Sequence, residues 1–437
     1  MRLSGRLSAA IEVLTDFETR RVPLKTALAD WARGARYAGA KDRAWISGLC
    51  LDVLRKRQSI AAMMTDDTPR AAVIGCLFFE WLTAIDELRS ALTEEPHGAG
   101  ALTEAEFERL EKPVPSEKFT PAVRGNFPEW MVPNIERVFG ENTVSVMNGY
   151  AERADIDLRL NRLKVESEKA LSALKSVKAN PISLLNNAAR ISAPNPSEKA
   201  PAVTVIPAFN KGWVEVQDLG SQIAALAAGE VKSAQVLDFC AGGGGKTLAL
   251  AAMMENTGQL YAYDRDPHRL KPLFHRAKRA GVRNLQIRSP AGDEGLEDLT
   301  NKMDVVFVDA PCTGAGTWRR HPDTKWRLTE QQLQRRMKEQ DIVLKQAAAF
   351  VKPGGRMVWV TCSFLMEENE DRLASFLEAH SEFSQQPVIE AMASTTLLTA
   401  KGREALSTLS TPEGAVRLSP DKIRADGFFI ATLRRTN

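Results

Sequence analysis

Two different spacings of hydrophobic residues divide this 437-residue chain. In residues 1–92, apolar side chains recur at the three- and four-residue spacing of amphipathic helices, starting with the run that contains Ile11 and Leu14, which predicts an all-helical domain. From residue 213 onward, short apolar runs alternate with amphipathic helical patterns. Such alternation indicates an α/β fold, in which helices cover both faces of a mainly parallel sheet.

The stretch between these two regions is mixed in character. Residues 93–127 resemble a linker, because Pro and Gly are frequent around one short polar helix, TEAEFERLEK. A helical connector and a small α+β subdomain are predicted to follow, with strands at 156–164 and 202–206 on either side of a helix starting at Ser167. We therefore expect four parts: 1–92, 93–127, 128–212 and 213–437, the last being the α/β domain.

Two predicted strands of the α/β domain lead into turns that contain a cysteine. The apolar run Val305–Val308 is followed by Asp309-Ala310-Pro311-Cys312, and the run Met357–Val360 is followed by Thr361-Cys362-Ser363. Ligands of open α/β sheets bind beyond the carboxyl ends of the strands. We therefore expect both thiols to face one substrate, although a single cysteine beside a strand is usually a buried core residue.

Either thiol needs help from its surroundings to react, because a thiol with a pKa of roughly 8.5 is only slightly ionised at neutral pH. Asp309 would raise the pKa of Cys312, and the basic residues that begin at Arg319 could offset this effect. Cys362 precedes a predicted helix, whose N-terminal dipole would favour a thiolate. A Cys/His protease is a weaker interpretation, since none of the five histidines lies in a recognisable triad context.

A glycine-rich loop, CAGGGGK from Cys240 to Lys246, joins a predicted strand to a predicted helix. Such a loop lets a ligand approach the backbone and the N–H groups of the helix N-terminus. An ATP-binding loop would need Gly at position 240, and a GxGxxG dinucleotide loop fits poorly because the glycine run is too short. The third interpretation is an adenosylmethionine loop, with Asp264 at the end of the next strand for the ribose hydroxyls, unless Asp264 is an ordinary turn residue.

Composition narrows the class of protein. The chain is 44% hydrophobic and 26% charged, as in soluble globular proteins, and has no apolar run long enough to span a membrane. Five sparse cysteines without a CxxC pair argue for a reducing cytoplasm and against a zinc site, so we expect no metal. The net charge of +3 permits a nucleic-acid partner without demanding one.

Three motifs in this order carry a resemblance to a known family: DFCAGGGGKT, DAPCTGAGTWRRHPDTKW and TCSFLMEENE. They resemble the RsmB/Nol1/Nop2/Sun family of RNA (cytosine-5) methyltransferases, and the match covers about 150–437. The resemblance implies a class I (Rossmann-like) methyltransferase domain. The preceding helical region resembles, more weakly, the NusB-like RNA-binding domain of the bacterial RsmB branch.

The resemblance also implies roles for individual residues. Cys362 would be the nucleophile that adds to carbon 6 of cytosine, Cys312 would assist loss of the carbon-5 proton and release of the enzyme, and Asp309 would hydrogen-bond the pyrimidine edge. The residues expected to bind S-adenosyl-L-methionine are Cys240, Ala241, Gly242, Gly243, Gly244, Gly245, Lys246, Asp264 and Asp309.

The chain departs from the family pattern at two places. Gly243 replaces the proline that usually precedes the last two glycines of the loop. The usual acid after the third strand is missing from Ile287–Ala291, so that Asp293 is only a displaced candidate for a contact to adenine.

The expected activity is methylation of carbon 5 of a cytosine in small-subunit ribosomal RNA by a cytoplasmic enzyme, with no membrane partner, acting as a monomer. A transfer-RNA cytosine-5 methyltransferase and a non-catalytic RNA-binding protein remain alternatives. A further RNA contact is predicted for a basic run with interleaved aromatic residues, against the alternative of ordinary loop packing. This run consists of Trp318, Arg319, Arg320, Lys325, Trp326 and Arg327.

Overall fold

The computed structural model describes residues 1–196, 198, 201–290 and 295–436, and it divides them into two compact units. The first unit contains residues 1–153, the described residues between 193 and 200, and 317–328. The second unit contains 154–192, 201–316 and 329–436, apart from the residues that are not described.

The helices follow one another in chain order. They are α1 (Leu3–Arg20), α2 (Leu24–Gly34), α3 (Ala40–Arg55), α4 (Arg57–Met64), α5 (Pro69–Gly75), α6 (Ile85–Thr93), α7 (Glu104–Glu111), α8 (Pro121–Gly125), α9 (Val132–Phe139), α10 (Thr143–Tyr150), α11 (Ser167–Ala173), α12 (Pro207–Asn210), α13 (Leu219–Leu226), α14 (Gly245–Met253), α15 (Pro267–Ala280), α16 (Pro322–Arg327), α17 (Glu330–Ala348), α18 (Glu370–Ala379), α19 (Val388–Ala391), α20 (Ala400–Ser407) and α21 (Pro420–Ile423). A π-helical turn, Cys76–Glu80, continues α5.

The strands are β1 (Ile156–Leu160), β2 (Asn180–Pro181), β3 (Ala188–Ile191), β4 (Val214–Val216), β5 (Gln235–Asp238), β6 (Gln259–Tyr263), β7 (Leu285–Arg288), β8 (Met303–Asp309), β9 (Val351–Thr361), β10 (Phe383–Gln386), β11 (Val416–Leu418) and β12 (Phe428–Arg435). Short 3-10 turns lie between these elements at Ser116–Lys118, Glu129–Met131, Gly140–Asn142, Lys175–Val177, Val203–Val205, Glu297–Leu299, Ala315–Thr317 and Met366–Glu368.

The first unit is helical, as the apolar spacing predicts. In α1, Leu7, Ala10, Leu14 and Phe17 lie at spacings of three and four residues and are buried, because this spacing places them on one face of the helix. The core of this unit also contains the buried thiols of Cys50 and Cys76. The likeness to NusB stays a prediction.

The first unit also includes a segment from late in the chain, 317–328. Trp326 Nε1 donates to Leu54 O at 2.7 Å, and Arg55 Nη2 donates to Arg319 O at 2.7 Å. Trp318, Arg319 and Lys325 are almost fully buried. The prediction that these three residues contact RNA is therefore wrong, because burial among helices leaves their side chains no access to a ligand.

A small antiparallel sheet in the order β2-β3-β1-β4 opens the second unit. The strand predicted over 202–206 is wrong, since Val203–Val205 form a 3-10 turn that follows Pro201. β4 takes that place in the sheet, with Leu158 opposite Val216. β4, the first strand after the boundary predicted at 213, therefore belongs to the small sheet and not to the main sheet.

The main sheet has the order β10-β12-β9-β8-β5-β6-β7, with β11 paired to β12. Strands β5 to β9 pair in parallel, whereas β12 is antiparallel to β9. Val305 to Val308 in β8 are fully buried, as expected for a central parallel strand covered on both faces. The chain order reverses between β5 and β8, and the carboxyl ends of strands at such a point form the ligand-binding crevice of an open α/β sheet.

The helices show no sign of a membrane-crossing segment: within the described chain, none is both long and apolar enough. The same part of the chain contains no group of three or more His, Cys, Asp or Glu side chains able to hold a metal ion.

Candidate active site

The two predicted thiols meet beyond the carboxyl ends of β8 and β9. Cys312 Sγ lies 3.4 Å from Cys362 Sγ, within hydrogen-bond distance for sulfur. The parallel pairing of β8 with β9 brings the two turns side by side, since Asp309 lies opposite Val360. Gly316 N also donates to Cys362 O at 2.9 Å, which joins the two turns through their backbones.

The Cys312 thiol lies in surroundings that keep it protonated. The hydrogen bond with Cys362 and burial raise the pKa of the Cys312 thiol well above its ordinary value. A thiol of this kind stays protonated at neutral pH, so Cys312 can donate a hydrogen bond to the Cys362 sulfur. The prediction that a helix dipole favours a thiolate at Cys362 is wrong, because the α-helix that follows, α18, begins only at Glu370.

A buried cation lies near Cys362 instead. Lys246 Nζ donates to Asp309 Oδ2 at 2.8 Å and interacts electrostatically with the Cys362 sulfur. Burial by itself would lower the pKa of Lys246, but the Asp309 carboxylate more than compensates and raises it, so that the ammonium group stays charged. The sequence analysis placed Lys246 with the cofactor alone, whereas its position also allows it to stabilise a thiolate at Cys362.

A buried carboxylate that the sequence analysis did not single out connects the two cysteine turns. Glu368 accepts hydrogen bonds from the backbone N–H of Thr313 at 2.7 Å, from the Thr313 hydroxyl and from the Ser363 side chain. Gln340 Nε2 donates to Glu368 Oε1 at 3.3 Å and to Pro311 O at 2.9 Å. Burial raises the pKa of Glu368, and these donors act in the opposite direction.

Glu368 was visible in the sequence as part of TCSFLMEENE, but its role was not. The residue lies six positions after Cys362, and only the fold places its carboxylate against the residue that follows Cys312. The neighbouring Asn369 donates through Nδ2 to Ser363 O at 3.0 Å and holds the Cys362 turn from the other side.

The glycine loop runs between β5 and α14, beside Asp264 at the end of β6. Ala241 N donates to Tyr263 O at 2.8 Å, and Gly242 N donates to Asp264 Oδ2 at 2.9 Å. Gly242 and Gly244 have positive φ angles of 50° and 81°. A Cβ atom on Gly244 would lie 2.2 Å from Leu273 Cδ1, so only glycine fits there.

Comparison with known proteins identifies this domain. Residues 225–434 match the family model described as "16S rRNA methyltransferase RsmB/F". The domain belongs to the RsmB/F family. The chain is also similar to the probable ribosomal RNA small subunit methyltransferase B of Synechocystis, with 29% identity over 73% of this chain and 69% of the relative. With the corresponding Enterobacter protein it shares 27% identity over 90% of this chain and 91% of the relative.

Two solved structures share the fold of this chain. The protein PH0851 aligns with 100% of this chain and 99% of its own at 23% identity, with a TM-score of 0.73. NSun6 from Pyrococcus horikoshii, solved with SFG, aligns with 71% of this chain and 99% of its own at 21% identity, with a TM-score of 0.59.

The residues of the RsmB/F domain fit the cofactor of this class, S-adenosyl-L-methionine. Nothing lies within 4 Å of the position of a Cβ atom on Gly245, where the loop enters α14, and the first turn of α14 has N–H groups without helical acceptors. Asp264 is already engaged by Gly242 N and by Arg269 Nη1 at 3.1 Å, so it orients the loop as well as offering oxygens to a ligand.

The residue that would contact adenine in this RsmB/F domain is not found among the described residues at the end of β7. Arg288, the last residue of that strand, pairs with Asp298 at 3.0 Å. Asp293, the displaced candidate from the sequence analysis, lies outside the described residues.

Proposed function

We propose that this chain methylates carbon 5 of a cytosine in small-subunit ribosomal RNA, with S-adenosyl-L-methionine as the methyl donor. The observation that carries the proposal is the 3.4 Å separation of Cys312 Sγ and Cys362 Sγ beside the glycine loop of an RsmB/F domain. The names of the similar proteins from Synechocystis and Enterobacter support small-subunit ribosomal RNA as the substrate.

Catalysis begins with Cys362 as the nucleophile. Lys246 stabilises the thiolate electrostatically, and the Cys312 thiol donates a hydrogen bond to the same sulfur. The thiolate adds to carbon 6 of the cytosine, which forms an S–C6 bond and moves electron density to carbon 5. When held by the glycine loop and Asp264, S-adenosyl-L-methionine would supply the electrophilic methyl group for carbon 5 and would leave as S-adenosylhomocysteine.

Product release requires loss of one proton and one bond. The Cys312 sulfur takes the carbon-5 proton as its own thiol proton passes to the departing Cys362 sulfur, the S–C6 bond breaks, and the C5–C6 double bond forms again. Asp309 accepts a hydrogen bond from the amino group at the pyrimidine edge while Lys246 holds the carboxylate in place. Carbon 6 is out of reach in a stacked helix, so the base enters single-stranded or flipped.

The roles of the two cysteines predict opposite behaviour of their alanine variants. Cys362→Ala should abolish methyl transfer to small-subunit ribosomal RNA taken from a strain that lacks this gene. Cys312→Ala should instead accumulate a covalent RNA–protein adduct, seen as a slower band on a denaturing gel, and the double variant should show no adduct. Normal turnover by Cys312→Ala would remove its assigned role.

The choice of RNA is tested separately. Bisulfite mapping of RNA from the deletion strain and its parent should reveal one cytosine whose modification is lost. A lost position in transfer RNA would favour the transfer-RNA enzyme, and binding without any methyl transfer would favour a non-catalytic RNA-binding protein. Cytoplasmic location and a monomeric state belong to the same proposal.

A further inference from the structure

The helix α15 and the residues that follow it carry an unusual excess of positive charge. Between Pro267 and Asn284 the chain has six Lys or Arg residues and no Asp or Glu. The whole chain has 58 basic and 55 acidic residues, so the remainder of the protein is slightly acidic. A basic excess concentrated on one helix is the electrostatic footprint expected of a nucleic-acid contact.

Three of the six cations are engaged within the protein. Arg276 and Arg279 pair with the buried carboxylate of Glu215, and Arg269 pairs with Asp264. Lys271, Lys278 and Arg283 are exposed and have no ion-pair partner among the described residues. Their charge is therefore available to a ligand.

The available residues share one face. Lys271, Phe274 and Lys278 lie at spacings of three and four residues, which places them in a row along the outside of α15. Phe274 is 63% exposed in the middle of this row. An aromatic ring between two cations combines a surface for base stacking with charges for phosphates.

The charged surface continues past the end of α15. Arg283 follows the helix, and the aliphatic chain of Lys164 lies against Gly281 at the helix C-cap. Lys164, Lys271, Phe274, Lys278 and Arg283 together form what we call the α15 patch. Lys271 and Lys278 are seven residues apart, or ~10 Å along the axis, which is enough to follow roughly three successive phosphates.

We propose that the α15 patch binds a single-stranded segment of the RNA substrate, with its cations on phosphates and Phe274 stacked on an unpaired base. The identity of this RNA as the substrate rests on the proposed function. The patch belongs to the same unit as the glycine loop. α15 starts directly after its N-cap residue Asp266, and its Arg269 pairs with Asp264 beside that loop.

The first test is the salt dependence of RNA binding. The full-length protein would be titrated into a fluorescein-labelled 30-nucleotide single-stranded RNA of mixed sequence at several KCl concentrations. The variant Lys271→Gln/Lys278→Gln/Arg283→Gln should bind more weakly, and the slope of log K against log[KCl] should fall by about 2, since each phosphate contact to a single strand contributes about 0.7. The matched control is Lys338→Gln/Lys345→Gln/Lys401→Gln, which removes three exposed lysines elsewhere in the same unit and should leave the slope unchanged.

The second test concerns the aromatic ring. Phe274→Ala should weaken binding roughly 5- to 100-fold, the range for loss of one stacked base, while Phe274→Tyr should retain most of the affinity. The loss of affinity caused by Phe274→Ala should be small for a duplex RNA of the same sequence, because paired bases cannot stack on the ring. Thermal unfolding should be unaffected, as the side chain is mainly exposed.

The outcomes separate this inference from the proposed function. If both variants bind the RNA like the wild type while the wild type still methylates ribosomal RNA, the α15 patch is a solvated surface and only this inference fails. Binding to vesicles of phosphatidylcholine with 30% phosphatidylserine, lost in the triple variant while RNA binding persists, would assign the patch to a lipid surface and overturn it. An RNA contact in a protein without methyl transfer would uphold the patch and overturn the proposed function.

Discussion

At the scale of single residues, the site depends on buried charges that are held by specific partners. Lys246 donates to Asp309 and interacts electrostatically with Cys362, and Glu368 accepts hydrogen bonds from Thr313 and Ser363 in the two cysteine turns. A buried charge is costly unless it is paired or hydrogen-bonded, so each of these groups constrains the geometry around it. The short distance between the two sulfurs follows from this arrangement.

Glu368→Gln should reduce both turnover and stability. The amide keeps the size of the side chain but directs its own N–H group at the donors of Thr313, and a mismatched buried hydrogen bond costs ~1–3 kcal/mol. We expect kcat to fall about 10- to 100-fold, with formation of the adduct slowed in the Cys312→Ala background. Glu378→Gln, which changes an exposed glutamate of helix α18, just after the turn that contains Glu368, is the control. Wild-type kcat in Glu368→Gln would show that the turns hold their positions without it.

Asp238→Asn should stabilise the protein increasingly as the pH rises. Burial raises the pKa of Asp238 to about 7, against 3.8 for the ordinary group, while the Thr247 hydroxyl donates to it at 2.6 Å. Because its folded pKa is raised, wild-type stability from this group is complete below pH 4 and is lost as the pH rises through about 7. The advantage of the variant should grow over that window to at most about 4 kcal/mol. Urea unfolding at pH 5 and pH 8 measures it, and an equal difference at both pH values would contradict the assignment.

At the scale of elements, the parallel strands decide which turns meet. β8 and β9 bring the two cysteine turns together, and β5 and β6 bring the glycine loop to Asp264. The loop has its shape because Gly242 and Gly244 adopt backbone angles that side chains disfavour. The positions within one loop therefore differ sharply in their tolerance of substitution.

Two neighbouring glycines provide a matched pair for this point. Gly244→Ala should destabilise the protein by more than ~1 kcal/mol and weaken binding of S-adenosyl-L-methionine, because the left-handed angle is strained and the new Cβ meets Leu273. Gly245→Ala should be neutral or slightly stabilising, since nothing lies within 4 Å of its Cβ and the residue begins α14. Calorimetric titration and thermal unfolding give both quantities. Equal effects of the two substitutions would show that the loop changes shape easily.

At the scale of the whole molecule, the order of the chain and the division into units do not coincide. The chain leaves the methyltransferase unit after Gly316 and returns to it at Thr329, and the intervening residues belong to the helical unit. In the helical unit, Lys325 Nζ donates a hydrogen bond to Arg55 O at 3.3 Å, and burial lowers the pKa of this lysine well below its ordinary value. The helical unit is therefore not a simple N-terminal attachment.

Removal of residues 1–153 should expose the segment 317–328. Trypsin should cut after Arg319 and Lys325 much faster in the 154–437 fragment than in the full chain, where both side chains are buried. The fragment should also unfold at a lower temperature, because Trp318 and Trp326 lose their environment. Cleavage at the same slow rate in both proteins would mean that the segment folds without the helical unit.

The local chemistry of this protein was determined by its sequence. The apolar run before Asp309, the four glycines after Ala241 and the turns at Cys312 and Cys362 each have a pattern with a physical meaning at short range. These patterns predict the strands and the loop, and the resemblance of the motifs to a known family implies the class of methyltransferase. The helical nature of residues 1–92 follows in the same way from side-chain spacing.

Only the tertiary structure decided which of these residues share an environment. The pairing of Glu368 with Thr313, the charge of Lys246 near Cys362 and the burial of Arg319 and Lys325 depend on contacts between residues distant in sequence. A charged residue has the same local sequence pattern whether it faces solvent or a buried partner. The sequence of a short strand such as β4 does not indicate which sheet the strand will join. The burial of a charge and the pairing of a strand depend on packing and desolvation over the whole fold, which the local spacing of residues does not reveal.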